Sequence, residues 1–104
     1  MATWSWNRME VGDIVTLKGE CTGNASFEGR EASLNLSFTL VLGKDYEKRV
    51  RNWLERQSLE DFIWLHYHGG LDEGLSLIDS EESLKLLLDC ETMTDYLMRR
   101  ALAK

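Results

Sequence analysis

The strictest pattern in this chain is an alternation of apolar and polar side chains between Ala32 and Leu42. Leucine or phenylalanine occupies every second position from Leu34 to Leu42, and serine, asparagine or threonine fills the intervening positions as far as Thr39. Because successive side chains of a β-strand point to opposite faces, this period of two predicts a strand with one buried face and one exposed face. Any fold for this chain must therefore place this strand at the boundary of a core.

A second alternation, from Val11 to Thr22, predicts another strand, because Val11, Val15, Leu17 and Cys21 share one parity and the polar residues Thr16, Lys18 and Glu20 lie between them. The segment Gly23 to Glu31 lies between the two strands and is rich in residues that favour turns. Two strands joined by a short polar segment predict an antiparallel hairpin. Trp4 and Trp6 also alternate, and they predict a short edge strand before the hairpin.

The apolar period changes after the hairpin. Lys44 to Gln57 has the spacing of an amphipathic helix, with Trp53 on its apolar face, where we expect it to be buried. Phe62 to His68 is rich in aromatic residues and ends at two glycines, which predicts a strand, and Trp64 would then lie in the core. A helix capped by Ser58 and Asp61 is the alternative for this segment.

Gly74 to Ile78 predicts another short strand. Asp79, followed three residues later by Glu82, is a helix N-cap signal, and the apolar spacing up to Ala103 fits one bent helix or two short ones. The predicted order is β-β-α-β-β-α. This order indicates a single domain over residues 1–104 with an α+β fold, in which a mixed or antiparallel sheet covers a helix and a further helix follows at the C-terminus. The ubiquitin-like β-grasp has this order.

The charges are distributed unevenly. The 104 residues have a net charge of −6. Residues 1–56 carry eight acids and eight bases, whereas residues 57–95 carry ten acids and Lys85 as their only base, a charge of −9. An acidic total argues against nucleic acid as the direct partner. The helix from Lys44 to Arg56 has a surplus of only about two positive charges, where useful affinity takes roughly six phosphate contacts or more.

The sequence also bears on the compartment. Met1 to Met9 lacks the apolar core of a signal peptide, and no apolar run approaches the roughly 18–20 residues of a membrane span. We therefore expect a cytoplasmic protein with no membrane partner. In that compartment Cys21 and Cys90 are expected to be reduced and packed as small hydrophobic side chains.

Residues 67–84 have the sequence Tyr-His-Gly-Gly-Leu-Asp-Glu-Gly-Leu-Ser-Leu-Ile-Asp-Ser-Glu-Glu-Ser-Leu. This stretch of 18 residues resembles the acidic segment of PB1 domains, which are β-grasp modules whose acidic turn docks on a basic patch of another PB1 domain. The resemblance implies that Asp72, Glu73, Asp79 and Glu81 form an acidic dock. It also implies that Lys18, on an early strand, stands where the basic surface of the family carries its lysine.

Motifs for catalysis are scarce. The chain has no nucleophile elbow, no His-Glu-x-x-His, no glycine-rich phosphate loop and no Cys-x-x-Cys. If residues 62–68 form a strand, His66 and His68 project from one face and could share a metal ion with Asp72, Glu73 or a cysteine as third ligand. The more ordinary interpretation is two histidines beside an aromatic strand end. We therefore expect no enzymatic activity and no cofactor.

The charge segregation and the small size predict a non-catalytic module that binds a basic protein surface. Such a module would pair with itself or a relative in the PB1-like manner. Alternatively, it would be an acidic inhibitor of the immunity or phage anti-defence type that blocks a nuclease or another nucleic-acid-binding protein. A metal-dependent enzyme that uses His66 and His68 is a further alternative. The predicted partner-binding residues are Asp72, Glu73, Asp79, Glu81, Glu82, Lys18, Trp4 and Trp6.

Trp4 and Trp6 belong to this set because exposed tryptophan is enriched at interface hot spots. The alternative is that the edge strand places both rings in the core.

Overall fold

The computed structural model describes residues 2–102, and within them three strands precede five helices. The strands β1 (Ala2–Val11), β2 (Ile14–Phe27) and β3 (Arg30–Gly43) form an antiparallel sheet in the order β1-β2-β3. A 3-10 turn (Lys44–Tyr46) leads into the helical layer. The α+β class predicted from the sequence is confirmed. The helices are α1 (Glu47–Glu55), α2 (Leu59–Tyr67), α3 (Leu71–Ser76), α4 (Glu81–Asp89) and α5 (Met93–Leu102).

Two tight turns connect the strands. Val11 pairs with Ile14 around a turn in which Gly12 has a φ of 62°, as the first central position of a type II′ turn requires. β2 pairs with β3 as far as its last residue, and the turn of Glu28 and Gly29, both with positive φ, closes that hairpin. The predicted loop over 23–31 is therefore too long. Its first residues continue the strand because each finds a cross-strand partner in β3.

One face of the sheet carries the core. Except at the first residue of β3, every second residue of β2 and β3 points to this face and is buried or half-buried, with Val15, Leu17, Leu34 and Leu36 among the buried ones, and the helices cover this face. Trp53 is 1% exposed, as predicted, and its indole Nε1 donates a hydrogen bond of 2.8 Å to the Cys90 carbonyl oxygen. Burial of a large aromatic ring is among the largest single contributions to such a core. The side-chain alternation of β3 thus places the sheet between the helices and solvent.

The segments 62–68 and 74–78 contain no strand, so the two strands predicted there are wrong. The first lies in α2, the alternative that begins after Ser58, and the second overlaps α3. β1 supplies the third strand of the sheet instead, as the alternation of Trp4 and Trp6 predicts. α2 turns Phe62, Ile63 and Leu65 toward the core and leaves Trp64 49% exposed, so the predicted burial of Trp64 is also wrong.

The predicted order β-β-α-β-β-α is therefore wrong as well, since all three strands precede all the helices of residues 2–102. This order gives no support to the ubiquitin-like β-grasp.

The C-terminal helical region consists of two helices, α4 and α5, which was one of the two predicted alternatives. The cap of α4 is Ser80, which forms a reciprocal capping box with Ser83, and not Asp79 paired with Glu82. The Ser80 hydroxyl accepts a hydrogen bond of 3.1 Å from the Ser83 N–H, and the Ser83 hydroxyl accepts one of 2.9 Å from the Ser80 N–H. The predicted helix end at Ala103 lies outside the described residues.

Two features bear on the expected environment of the chain. Cys21 and Cys90 are free and buried, in agreement with the prediction, and burial raises the pKa of both thiols. None of the helices described within residues 2–102 combines the length and the apolar character that a membrane crossing requires.

Candidate protein-binding surface

The predicted acidic residues lie at the N-terminal ends of two helices. Asp72 and Glu73 are in the first turn of α3, Glu81 and Glu82 are in the first turn of α4, and Asp79 precedes the α4 cap. Negative charge at these positions is favoured by the unpaired N–H groups of a helix start. Local helix structure thus accounts for part of the acidic composition, and only charge that remains available can serve a partner.

Ion pairs separate these acids into two groups. Asp79 lies 3.7 Å from Arg100, and Glu81 lies 3.8 Å from Lys85 and accepts a hydrogen bond of 3.0 Å from the Tyr46 hydroxyl. Both carboxylates therefore already have a favourable electrostatic contact within the chain. Within residues 2–102, the predicted acids that have no ion pair are Asp72, Glu73 and Glu82.

A group of aromatic side chains lies at the C-terminal end of α2 and at the tip of the β2–β3 hairpin. Trp64 is 49% exposed and Tyr67 is 55% exposed. The Tyr67 ring stacks on Phe27 with a centroid distance of 5.0 Å, and the His68 ring lies 4.2 Å from Trp64 and 6.1 Å from Phe27. These contacts join two elements that are far apart in sequence into one aromatic surface.

The helical period explains why these rings face outward. Trp64, Tyr67 and His68 are three and four residues apart, so they share one side of α2. Phe62, Ile63 and Leu65 are buried toward the sheet. The same sequence as a strand would have placed Trp64 and the two flanking apolar residues on alternating faces of the sheet.

Three pairs of exposed carboxylates lie on α2 and the β2–β3 hairpin, which carry the aromatic rings, or on α3, which contacts α2. The first pair, Glu60 and Asp61, precedes Trp64 by one helical turn of α2. A second pair begins α3, which the hydrogen bond of 2.9 Å from the Gly70 N–H to the Leu65 carbonyl oxygen holds against α2. A third pair lines, with Phe27 and Tyr67, a hollow of about 520 Å³ at the hairpin tip. These acids are Glu60, Asp61, Asp72, Glu73, Glu28 and Glu31.

None of these six carboxylates has an ion pair within residues 2–102. Arg30 is the only base that lines the hollow at the hairpin tip. We call the six carboxylates, together with Phe27, Trp64, Tyr67 and His68, the acidic–aromatic surface.

The metal pair considered for His66 and His68 depends on a strand over residues 62–68, and these residues instead lie in α2 and at its C-cap. His66 lies in the last turn of α2, and His68 is the C-cap of this helix. Side chains two residues apart on a helix point in different directions. The His66 ring contacts Tyr67 and the His68 ring contacts Trp64, which points them to different neighbours. Among the residues that the structure describes, no group of three or more His, Cys, Asp or Glu side chains is placed to hold a metal ion.

Trp4 and Trp6 lie on the core-facing side of β1 and are half-buried. Their rings stack with a centroid distance of 5.1 Å, and Trp4 packs edge-on against Phe62. The Trp6 Nε1 donates a hydrogen bond of 2.6 Å to Glu55 Oε1, and the Arg51 guanidinium lies 5.3 Å from the Trp6 ring centroid. These contacts correspond to the core alternative considered for the two rings and place them apart from the acidic–aromatic surface.

Lys18 lies on the opposite, outer face of the sheet, in register with Asn7 and Thr39. The helices that carry the predicted acids cover the other face. Lys18 and the acidic residues therefore belong to different sides of the molecule.

A charged contact at the start of α1 links the sheet to the helical layer. The Arg8 guanidinium donates two hydrogen bonds of 2.8 Å to the buried Glu47 carboxylate and one of 2.6 Å to Glu10. These hydrogen bonds hold the pKa of Glu47 and of Glu10 below their usual values and raise that of Arg8. Because its acceptors are already in use, this cluster stabilises the fold and offers little to a partner.

Phe27, Trp64 and Tyr67 are not among the binding residues that the sequence predicts. Phe27 falls in a predicted loop, and a strand over residues 62–68 would place Trp64 in the core. The spacing of Trp64, Tyr67 and His68 at three and four residues is the signal that a helical interpretation would have used.

Comparison of the chain with protein-family models, with curated proteins and with solved structures gives no match.

Proposed function

We propose that this chain is a non-catalytic protein-binding module that engages a basic partner through the acidic–aromatic surface. The observation that carries the proposal is the exposure of Trp64 and Tyr67 among six carboxylates that have no ion pair within residues 2–102. Guanidinium and ammonium groups are attracted to the faces of exposed aromatic rings, and neighbouring carboxylates add ion pairs and hydrogen bonds. The two residue types together suit arginine and lysine side chains.

The aromatic rings distinguish this surface from an ordinary solvated acidic face. Tryptophan and tyrosine dominate the residues whose removal weakens protein–protein binding most, since they bury large areas with little loss of side-chain entropy. The surrounding negative charge would accelerate encounters with a basic surface and make them sensitive to salt. The net charge of −9 over residues 57–95 adds to that long-range attraction.

The proposal narrows the acidic segment expected from the sequence. Asp72 and Glu73 stay in the binding surface, whereas Asp79 and Glu81 are engaged with Arg100 and Lys85. A nucleic-acid-binding protein is the partner class that this chemistry favours, because such proteins cluster arginine and lysine for phosphate contact. An inhibitor of the immunity or anti-defence type would act by covering such a cluster.

A binding measurement with an arginine-rich synthetic peptide tests the proposal. Fluorescence anisotropy of the labelled peptide should report binding that weakens from low to high salt. The variant Trp64→Ala/Tyr67→Ala should bind about tenfold more weakly or worse, as for hot-spot residues. The matched control is Met98→Ala, which removes an exposed apolar side chain from α5 and should leave binding unchanged.

Replacement of Asp72 and Glu73 by Asn and Gln should reduce both the affinity and its salt dependence. Equal affinities for the Trp64→Ala/Tyr67→Ala variant and the Met98→Ala control would refute the proposal, as would binding that does not respond to salt.

A further inference from the structure

The outer face of the sheet has an exposed apolar corner. Met9, Val11, Ile14 and Val41 are large hydrophobic residues on this face, each between 49% and 72% exposed. The strand register brings them together: Val11 pairs with Ile14, and Met9 and Val41 both pair with Thr16. Val11 and Ile14 are direct cross-strand neighbours, Met9 lies beside Val11 on β1, and Val41 is the diagonal neighbour of Ile14 on β3. With Thr16 between Met9 and Val41, the four residues form one patch, which we call the apolar corner.

The rest of the outer face differs sharply from this corner. Beyond Thr16, ten of the thirteen outward side chains of the three strands are serine, threonine or asparagine, and the other three are Lys18, Glu20 and Glu31. No other large exposed hydrophobic residue of 2–102 lies on this face. From the exposed fractions, the apolar corner presents on the order of 400 Å² of surface, which is the size of the largest and often functional patch on a monomeric protein. The segregation of apolar residues to one end indicates an interface that covers that end only.

Charges lie on both sides of the apolar corner and are opposite in sign. Lys18 is the next outward residue of β2 beyond Thr16, and Asp13 lies in the turn at the other end. Neither has an ion pair within residues 2–102. With a rise of about 3.3 Å per residue, Lys18 is about 10 Å and Asp13 about 7 Å from the middle of the corner at Val15. If a second copy is placed on this face with its strands reversed, Lys18 of each copy lies near Asp13 of the other.

We propose that the apolar corner binds the same corner of a second copy of this chain, with a two-fold axis parallel to the sheet and perpendicular to its strands. The axis reverses the strand direction between the copies. The row of Met9 and Val41 then covers the row of Val11 and Ile14 of the second copy. Lys18 lies opposite Asp13 of the second copy, and the symmetry repeats this pair. Two sheets packed face to face in this way are aligned and about 10 Å apart.

The occupant is a second copy because one surface supplies both halves of the match, as an isologous interface requires. The dimer would bury roughly 800 Å² in total, less than the roughly 1,200 Å² of a standard stable interface, so association is weak and depends on concentration. α2 lies on the opposite side of the sheet. The dimer therefore leaves the acidic–aromatic surface free. The test of the dimer and the test of the proposed function are thus independent of each other.

Sedimentation equilibrium over a range of protein concentrations tests this dimer. The mass of the wild-type chain should rise above the monomer value of 12.0 kDa as concentration increases. Each single reversal, Lys18→Asp or Asp13→Lys, should weaken dimerisation about tenfold, because each dimer exchanges two attractive pairs for two repulsive ones. The double reversal should restore the wild-type affinity.

Val41→Asp should abolish the dimer by placing a carboxylate in the apolar corner. Asn35→Asp is its matched control, since it introduces the same charge on the same strand and face but outside the overlap. Far-UV circular dichroism confirms that each variant is folded. The proposal is overturned if the wild type stays at 12.0 kDa throughout, if Val41→Asp behaves as the control does, or if the double reversal fails to restore association.

Discussion

Replacement of Gly19 by alanine tests how tightly the aromatic rings of β1 and β3 pack on the sheet. Gly19 faces the core in the central strand, paired with Trp6 on one side and Phe38 on the other. A Cβ at this position would lie 2.5 Å from the Phe38 Cζ and 2.7 Å from the Trp6 Cζ3. Both distances are far below van der Waals contact, so the two rings must move, and the stack of Trp6 on Trp4 must move with them.

The expected cost follows from two opposing effects. Insertion of one methyl group into a packed core costs about 1–3 kcal/mol. Alanine also restricts the unfolded chain, which returns about 0.4–1 kcal/mol. The net loss in the free energy of unfolding should therefore be about 1–2 kcal/mol, which lowers the melting temperature of a domain of this size by about 5–10 °C.

Urea and thermal unfolding followed by circular dichroism measure this loss. Gly43→Ala is the matched control, because its Cβ would lie 3.6 Å from the nearest atom, Tyr46 Cδ2, and its φ of −66° suits any residue. This control should change stability by less than about 0.5 kcal/mol. Gly19→Ala/Phe38→Leu should recover part of the loss. If Gly19→Ala proves as stable as the control, the rings do not require glycine at this position, and the packing role assigned to Trp6 fails.

Two further predictions concern stability. The Arg8 hydrogen bonds hold the pKa of Glu47 below its usual value for a glutamate. The ionised carboxylate therefore stabilises the fold above that usual pKa, and this stabilisation is lost as the pH falls through the lower pKa of the folded state. Glu47→Gln should therefore be less stable than wild type in neutral thermal melts, with a gap that narrows in acid; a gap independent of pH would contradict this. Ser80→Ala removes the capping box of α4 and should cost about 1 kcal/mol in urea unfolding, whereas an unchanged midpoint would show that the cap contributes nothing.

Particular residues show where sequence reasoning succeeded. The alternation from Leu34 to Leu42 predicted both the strand and its buried face, because a period of two permits only one assignment of side chains to faces. The spacing around Trp53 predicted α1 and its burial for the corresponding reason at a period of 3.6. Trp4 and Trp6 predicted the edge strand.

The secondary structure of residues 62–68 could not be predicted from the sequence. A short aromatic run fits a strand or a helix equally, and the choice depends on whether the sheet has a place for it. In the folded chain β1 fills the position beside β2, and this segment forms α2, which packs toward the core through Phe62, Ile63 and Leu65. That single change moved Trp64 from the predicted core to the surface and separated His66 from His68.

By itself, the sequence determined which residues alternate, where helical spacing begins and how the charge divides along the chain, since each of these is a property of neighbouring positions. Tertiary structure alone decided which charges stay available and which rings meet. Asp79 forms an ion pair with Arg100, and Phe27 stacks on Tyr67. These residues are too far apart in sequence for any helical or strand period to predict their contact. The candidate binding surface consists of carboxylates that form no ion pair within residues 2–102 and of aromatic rings that folding places at the surface. It therefore depends on how the elements pack, because only packing brings residues distant in sequence into contact.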